Sequence, residues 1–245
     1  MKYIELKEID STNAYISKKL SAGEISEPTA VYTSSQTKGK GMGQNIWVSD
    51  NDKNALFSIA LFTEIKTEEI FKVSLATSMA IYEFLKIKGI KTKIKWPNDI
   101  YYEGKKLGGI LIENKLDGNM VKASVIGVGI NLNQEKFPKW LPNPISLKYI
   151  TGETYDIKEF VTELSERVEK KLNEIKDIPF ADLRLYYLLN LYKFGEIAIW
   201  KIQGIKDEIS GSIVDVKPSG KIVVQAVSGQ LCECEIKQIK LVDDF

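Results

Sequence analysis

Residues 93–112, KIKWPNDIYYEGKKLGGILI, constrain the fold more than any other stretch. Two short apolar runs flank a turn-forming knot, Pro97-Asn98-Asp99, and a second knot at 103–106 precedes Leu107-Gly108-Gly109-Ile110-Leu111. The pattern predicts two strands joined by a turn, with Trp96, Asn98, Asp99 and Lys106 at the strand ends. Lysine is rarely placed beside a close-packed strand unless an acceptor meets it, and paired glycines let a ligand approach the backbone. On this stretch alone, an exposed lysine at a hairpin tip is the simpler reading.

The rest of the chain supplies a sheet and helices for this hairpin to join. Residues 2–9 alternate apolar and charged side chains and read as a first strand. Asp10-Ser11-Thr12-Asn13 then offers several N-caps for a helix over 14–20. One cap is enough, so the polar run leaves groups over for a ligand, although capping alone is the commoner reason for such a run. Strands are predicted over 29–35, 55–62 and 120–131, and helices over 67–88, 156–175 and 180–192. In MVKASVIGVGIN the glycines Gly127 and Gly129 stand two apart, on one face of the strand, where they make either a groove or a bulge. Beyond Phe194 the texture changes to short strands with turns at Gly204, Gly211, Gly220 and Gly229, which suggests a small SH3-like barrel and a boundary near Tyr192. A chain of 245 residues accommodates one medium domain, here 1–192, with a small partner, 193–245.

Composition removes whole classes of chemistry. Histidine is absent, which excludes Ser-His-Asp and Cys-His catalysis, His-ligated zinc and an imidazole base. With 34 basic and 33 acidic side chains there is no net basic footprint for general nucleic-acid binding. Cys232 and Cys234 lie two apart on one strand face and read as reduced thiols, since two thiols alone do not make a zinc site. No signal peptide and no 18-residue apolar window occur, so a cytoplasmic protein with no membrane partner is expected.

The loop 36–47, QTKGKGMGQNIW, interleaves three alternate glycines with lysines. Its exposed amides and cations suit a phosphate or carboxylate. The GxxxxGK[ST] spacing is missing and no helical run follows, so it is neither a Walker loop nor a dinucleotide fingerprint. Such a loop is either a mobile surface turn or a lid that orders over substrate.

Taken together, five motifs resemble those of the biotin protein ligases: Asp10-Ser11-Thr12-Asn13, Gln36 with its glycine loop ending at Trp47, Lys95-Trp96-Pro97-Asn98-Asp99, Lys106-Leu107-Gly108-Gly109-Ile110-Leu111, and Gly127-Val128-Gly129-Ile130-Asn131-Leu132-Asn133. Each is weak alone; their shared order and spacing are specific, and the resemblance covers nearly the whole chain. The resemblance implies an α+β fold, a mixed sheet flanked by helices with a C-terminal SH3-like barrel. It implies ATP and biotin as substrates with Mg²⁺, formation of biotinyl-5′-AMP, and transfer to a lysine of a biotin carboxyl carrier protein domain of a carboxylase.

Carried over by position, the resemblance assigns Ser11, Thr12, Asn13 and Gln36 to biotin's ureido ring and its surroundings. Gly109, Leu111, Gly127 and Gly129 would line the biotin slot. Gly39, Lys40 and Gly41 would fold over the adenylate, with Lys40 also catalytic, and Met42 and Asn45 fall in the nucleotide-binding loop. Trp47 would stack near adenine, and Lys106 would stand between carboxylate and α-phosphate. Asn98, Asp99 and Asn131 would orient Mg²⁺ or phosphate, and Trp96 is assigned mainly to packing. The family's loop is commonly richer in arginine; here Met42 and Asn45 occupy arginine positions, so fewer bidentate phosphate contacts are available. The chain opens at the first strand with no DNA-binding domain before it, so no DNA partner is expected, while homodimerisation through a sheet edge stays open. The alternatives are a lipoate–protein ligase of the same fold, whose His-containing motif is absent, and a non-catalytic biotin or carrier-domain binding module, which would not need Lys40, Lys106 and Asn131.

Overall fold

The computed structural model describes residues 1–242. A seven-stranded mixed sheet forms the body. Its strands are β1 (Lys2–Ile9), β2 (Thr29–Gln36), β3 (Ala55–Lys66), β4 (Lys93–Lys95), β5 (Asp99–Tyr102), β6 (Lys105–Asp117) and β7 (Met120–Ile130), in the order β1-β2-β3-β7-β6-β5-β4. Only β1 and β2 run parallel, linked by helix α1 (Thr12–Ser21) as a parallel pair requires; every other neighbour is antiparallel.

The sheet's two faces have different fates. On one, α2 (Phe71–Ile87) and α4 (Ile157–Ile175) pack over Phe57, Ile59, Leu61, Ile126 and Val128 to make the main core. On the other, α1 covers only one end, where Ile16 meets Val31, Ala60 and Val125. The uncovered remainder of that face is where the site forms. Two shorter helices, α3 (Leu147–Thr151) and α5 (Phe180–Leu189), flank the body.

A second, antiparallel sheet follows in the order β11-β10-β9-β8-β12, from β8 (Ala198–Ile202), β9 (Ile209–Val216), β10 (Ile222–Ala226), β11 (Leu231–Cys234) and β12 (Ile239–Leu241). It docks on the body through Trp96, whose Nε1 donates to the Gly220 carbonyl at 2.9 Å, and through Arg184, whose Nη1 donates to both Asp215 carboxylate oxygens at 2.9 Å. Cys232 and Cys234 are buried free thiols on the same side of β11, as their spacing implies.

Several element boundaries differ from expectation. The 93–112 stretch holds three strands instead of two, because Pro97-Asn98 breaks the chain after β4 and Glu103-Gly104, both at positive φ, turn it again after β5. β3 continues past Phe62 to Lys66, where exposed Phe62, Glu64 and Lys66 alternate with buried Thr63 and Ile65. The helix expected over 67–88 begins as a separate 3₁₀ turn, Thr67–Glu69, and the helix expected over 180–192 stops at Leu189. Among the described residues, no helix is long and apolar enough to cross a membrane.

Candidate active site

Strand register builds the floor of a cavity of about 490 Å³ on the open face. Across β3, β7 and β6, Ser58, Gly127 and Leu111 stand in one row; Leu56, Gly129 and Gly109 stand in the next, which β5 extends to Asp99. The glycines are required by close approach. A Cβ on Gly129 would lie 2.6 Å from the Trp47 ring, and one on Gly127 would lie 2.2 Å from Asn13 Oδ1. Of the two readings of this glycine pair, the groove is the one realised, since β7 keeps continuous register through both.

The N-terminus of α1 forms one wall. Ser11 caps the helix by accepting from the Ala14 amide, so capping accounts for one residue of the polar run. Thr12 donates its amide (2.9 Å) and hydroxyl (3.1 Å) to Gln36 Oε1. Asn13 accepts from the Ser58 hydroxyl at 2.5 Å and donates to the Leu111 carbonyl and Glu113, each at 3.2 Å. Ser11, Thr12 and Asn13 are each only 3% exposed, so their positions are fixed before any ligand arrives. Ser58 and Glu113, which orient this wall, carry no motif and were not expected.

Lys106 reaches the cavity because β6 is bulged. Pairing with β5 passes from Ile100↔Gly108 to Tyr101↔Lys106, leaving Leu107 as an extra residue. Strict alternation would put Lys106 and Gly109 on opposite faces; the extra residue puts both on the cavity face. Leu107 itself is fully buried in the core. The Lys106 ammonium pairs with Asp99 at 2.7 Å and lies 5.8 Å from the Trp47 ring centre. Residues 143–145 hold the Lys106 backbone from the far side, through the Asn143 carbonyl at 2.7 Å and the Ile145 amide at 3.0 Å.

The glycine loop is a small hairpin over the cavity. Trp47 donates its amide to the Gly39 carbonyl and Gly41 to Asn45, with Gly43 at the tip at φ +71°. Lys40, Gly41, Met42, Asn45 and Trp47 all line the cavity. The Trp47 ring rests on Gly129 and Gly109, so it covers part of the glycine floor, and its buried Nε1 has no hydrogen-bond partner among the described atoms.

Two expected site residues lie outside the cavity wall. Gly39 is buried in the hairpin stem, where a Cβ would come 2.4 Å from the Trp47 carbonyl. Asn131 is 5% exposed and donates its side-chain amide to the carbonyls of Ile145 (3.0 Å) and Lys106 (3.4 Å), so it braces the Lys106 segment from behind. Asn98 does line the cavity, with its amide donating to the Ile110 carbonyl at 2.8 Å. Trp96 also faces the cavity, in addition to its packing role.

Sequence reasoning gave no role to a group of lysines, although Lys95 lies in one of the motifs. Lys95, Lys193, Lys237 and Lys240 join Lys40 and Lys106 in the wall, and two of them arrive from the second sheet's end of the chain. Lys95 donates to the Tyr101 hydroxyl at 2.9 Å. Burial pushes its ammonium down from the ordinary 10.5 to about 8; Lys106 and Lys240 push the same way and Asp99 opposes them. Because the depressed group is a cation, it is charged below about pH 8 and neutral above. Affinity for a phosphate ligand is therefore expected to fall as pH rises through about 8, with a loss of up to ~10-fold per pH unit. Titration of nucleotide binding between pH 7.5 and 9.5 checks this, and a Lys95→Arg variant is expected to lack the fall.

Three comparisons bear on the class of protein that this fold and cavity define. The Biotin/lipoate A/B protein ligase family matches residues 5–131, just over half of the 245-residue chain, and the chain belongs to that family. It is 27% identical over 237 residues to the biotin–[acetyl-CoA-carboxylase] ligase of Paracoccus denitrificans, covering 90% of this chain and 97% of that one. It is 27% identical over 215 residues to the bifunctional ligase/repressor BirA of Bacillus subtilis, of whose length the match spans 66%, against 86% of this chain. The biotin protein ligase of Aquifex aeolicus, solved with biotin and ATP, superposes with a TM-score of 0.75 at 27% identity, covering 98% of both chains.

Proposed function

We propose that this chain is a biotin protein ligase, acting on biotin, ATP and the carrier domain of a biotin-dependent carboxylase. The observation that carries the reading is the joining, in one cavity, of a glycine-floored slot with a fixed polar wall and a lysine cluster, with Lys106 in the lining of both parts. The slot suits a neutral bicyclic ring with an apolar tail, and the lysines suit a nucleotide's phosphates. Names and bound ligands of the similar ligases support the same substrates.

In the first step, a biotin carboxylate oxygen attacks the α-phosphorus; the bond from that phosphorus to the oxygen bridging to the β-phosphate breaks, and pyrophosphate leaves with the electron pair. Negative charge gathers between carboxylate and phosphate, where the Lys106 ammonium is already held by Asp99. In the second step, a carrier lysine amine attacks the acyl carbon, the acyl–phosphate C–O bond breaks, AMP leaves and the amine's proton passes to solvent. Ser11, Thr12, Asn13 and Gln36 orient the ring, Gly109, Leu111, Gly127 and Gly129 give it room, and the Lys40 hairpin closes over the intermediate. Asn131 acts through Lys106, by bracing the strand that carries it.

Mg²⁺ fits this site in one respect: Asp99 is the one carboxylate in the described lining, and no cluster of three acidic, Cys or His groups exists among the described residues. Such a donor set suits an ion held mainly by nucleotide phosphates and water, where it neutralises phosphate charge. In this reading, residues 1–192 form the unit carrying the slot and 193–245 a second unit that closes the nucleotide end. The chain is expected to label the acceptor lysine of a carboxylase carrier domain when given biotin and ATP. Streptavidin blotting and mass spectrometry of the carrier check this, and an unlabelled carrier with an intact adenylation step would restrict the chain to the first half-reaction.

A further inference from the structure

The glycine hairpin hangs from two legs, and each leg is pinned to a different part of the site. The first leaves β2, where the Thr37 and Lys38 amides donate to the Ile9 and Asp10 carbonyls, each at 2.9 Å, at the turn that leads into Ser11–Asn13. The second runs from Trp47 through residues 48–54 to β3 without helix or strand. It is joined to the rest of the fold by two backbone bonds, from Asp52 to Ser34 (3.0 Å) and from Asn133 to Lys53 (2.8 Å), and by the side chains of Asn54 and Gln134. Both side chains are only 1% exposed, a costly place for an amide without partners. Gln134 Oε1 accepts from the Asp50 amide at 3.1 Å and from Asn54 Nδ2 at 2.6 Å, while its Nε2 donates to the Lys136 carbonyl at 2.9 Å. Both lone pairs of that oxygen are therefore filled, which fixes the amide's orientation. Asn54 completes the link: its Nδ2 also donates to the Ser49 hydroxyl, and its Oδ1 accepts from the Leu132 amide, each at 2.9 Å.

We infer that Gln134 is a positioning residue for the hairpin: its buried amide fixes the second pivot, at Ser49–Asn54, relative to the segment that braces Lys106, so that the lid closes in register over the activated intermediate. The segment 131–134 serves both sides of the site. Asn131 holds the Lys106 carbonyl and the Ile145 carbonyl, while Leu132, Asn133 and Gln134 hold the hairpin's second leg. Slack at Asp50 passes within a few residues to Trp47, whose ring must seat on Gly109 and Gly129. The inference rests on the ligase reading for what the lid protects. An acyl phosphate is consumed by water unless the site stays closed until the carrier amine arrives, and a lid with a loose pivot closes badly.

The test compares Gln134→Met, which keeps the side chain's length and removes its polar atoms, with Gln134→Glu, which keeps an oxygen facing Asp50 and Asn54. Pyrophosphate released with biotin and ATP is measured per carrier domain labelled, with the carrier in excess. A merely structural role lowers the amount of folded protein, which scales both quantities and leaves their ratio unchanged. A misplaced lid raises the ratio, because the adenylate escapes and is hydrolysed to biotin and AMP. Gln134→Met is expected to raise it roughly 5- to 30-fold, with Gln134→Glu within about threefold of the parent. Ser49→Ala removes the other acceptor of Asn54 from a half-buried position; it serves if Gln134→Met does not fold, with an expected rise of about 2- to 5-fold. A parental ratio in the variant that folds, or an equal rise in Gln134→Glu, would overturn the inference. If the parent itself releases no pyrophosphate with biotin, the ligase reading fails and the pivot is judged without ligands by trypsin. Faster cleavage of the variant at exposed Lys38 and Lys40, with cleavage at exposed Lys206 unchanged, then supports the pivot, and parental cleavage at all three overturns it.

Discussion

Lys106→Ala is expected to lower biotin-dependent pyrophosphate release by at least ~100- to 1,000-fold while the protein stays folded. The side chain is about one-third exposed; its ammonium pairs with Asp99 and lies 5.8 Å from the Trp47 ring centre. Truncation therefore removes a charge at the cavity wall. It also leaves Asp99 without that partner in the cavity, which adds repulsion toward the α-phosphate, so kcat is expected to fall more than KM for biotin rises. Pyrophosphate release at saturating substrates, with thermal unfolding as a control, measures both parts. A folded variant with parental adenylation rates would remove Lys106 from the mechanism.

Gly127→Ala is expected to weaken biotin binding by ~10- to 100-fold while leaving ATP binding unchanged, and to cost roughly 1–3 kcal/mol of stability. The added methyl would stand 2.2 Å from Asn13 Oδ1 and 2.9 Å from its Cγ. Asn13 cannot swing aside cheaply, because Ser58, the Leu111 carbonyl and Glu113 hold it on a buried wall. The shift must therefore pass into the Thr12–Gln36 network that shapes the slot. Calorimetry with each ligand separately distinguishes this from general unfolding; equal loss of both affinities would point to the fold instead of the slot.

What could be read from the sequence is what local physics controls. The N-cap within residues 10–13 and the glycine-bearing strand β7 each follow from a residue type whose backbone or side-chain requirement is met within a few positions, whereas the loop over 36–47 reads as a surface turn or lid and is a small hairpin. The groove at Gly127 and Gly129 was one of two open readings, and only the alignment of three strands decides it. The bulge at Leu107 was illegible, because an extra residue in a strand leaves no compositional mark; a lysine before two glycines was its only trace. Ser58, Glu113, Lys237 and Lys240 were missed for another reason. They act on the site from segments far away in sequence, and serine, glutamate and lysine are ordinary surface residues when read alone. Asn131 shows the converse: a motif residue expected at the phosphate turned out to brace the strand behind Lys106.

In the proposed function, one cavity joins biotin's carboxylate to the α-phosphate of ATP. Its most direct test is pyrophosphate release by the 245-residue chain with ATP and Mg²⁺, in the presence of biotin, of lipoate, or of neither acid. Release that depends on biotin, with lipoate at the level of the blank, is the result expected from a slot built around Asn13, Gln36 and the Gly127–Gly129 floor. Release with lipoate in preference to biotin, or no release above the blank with either acid, would contradict it.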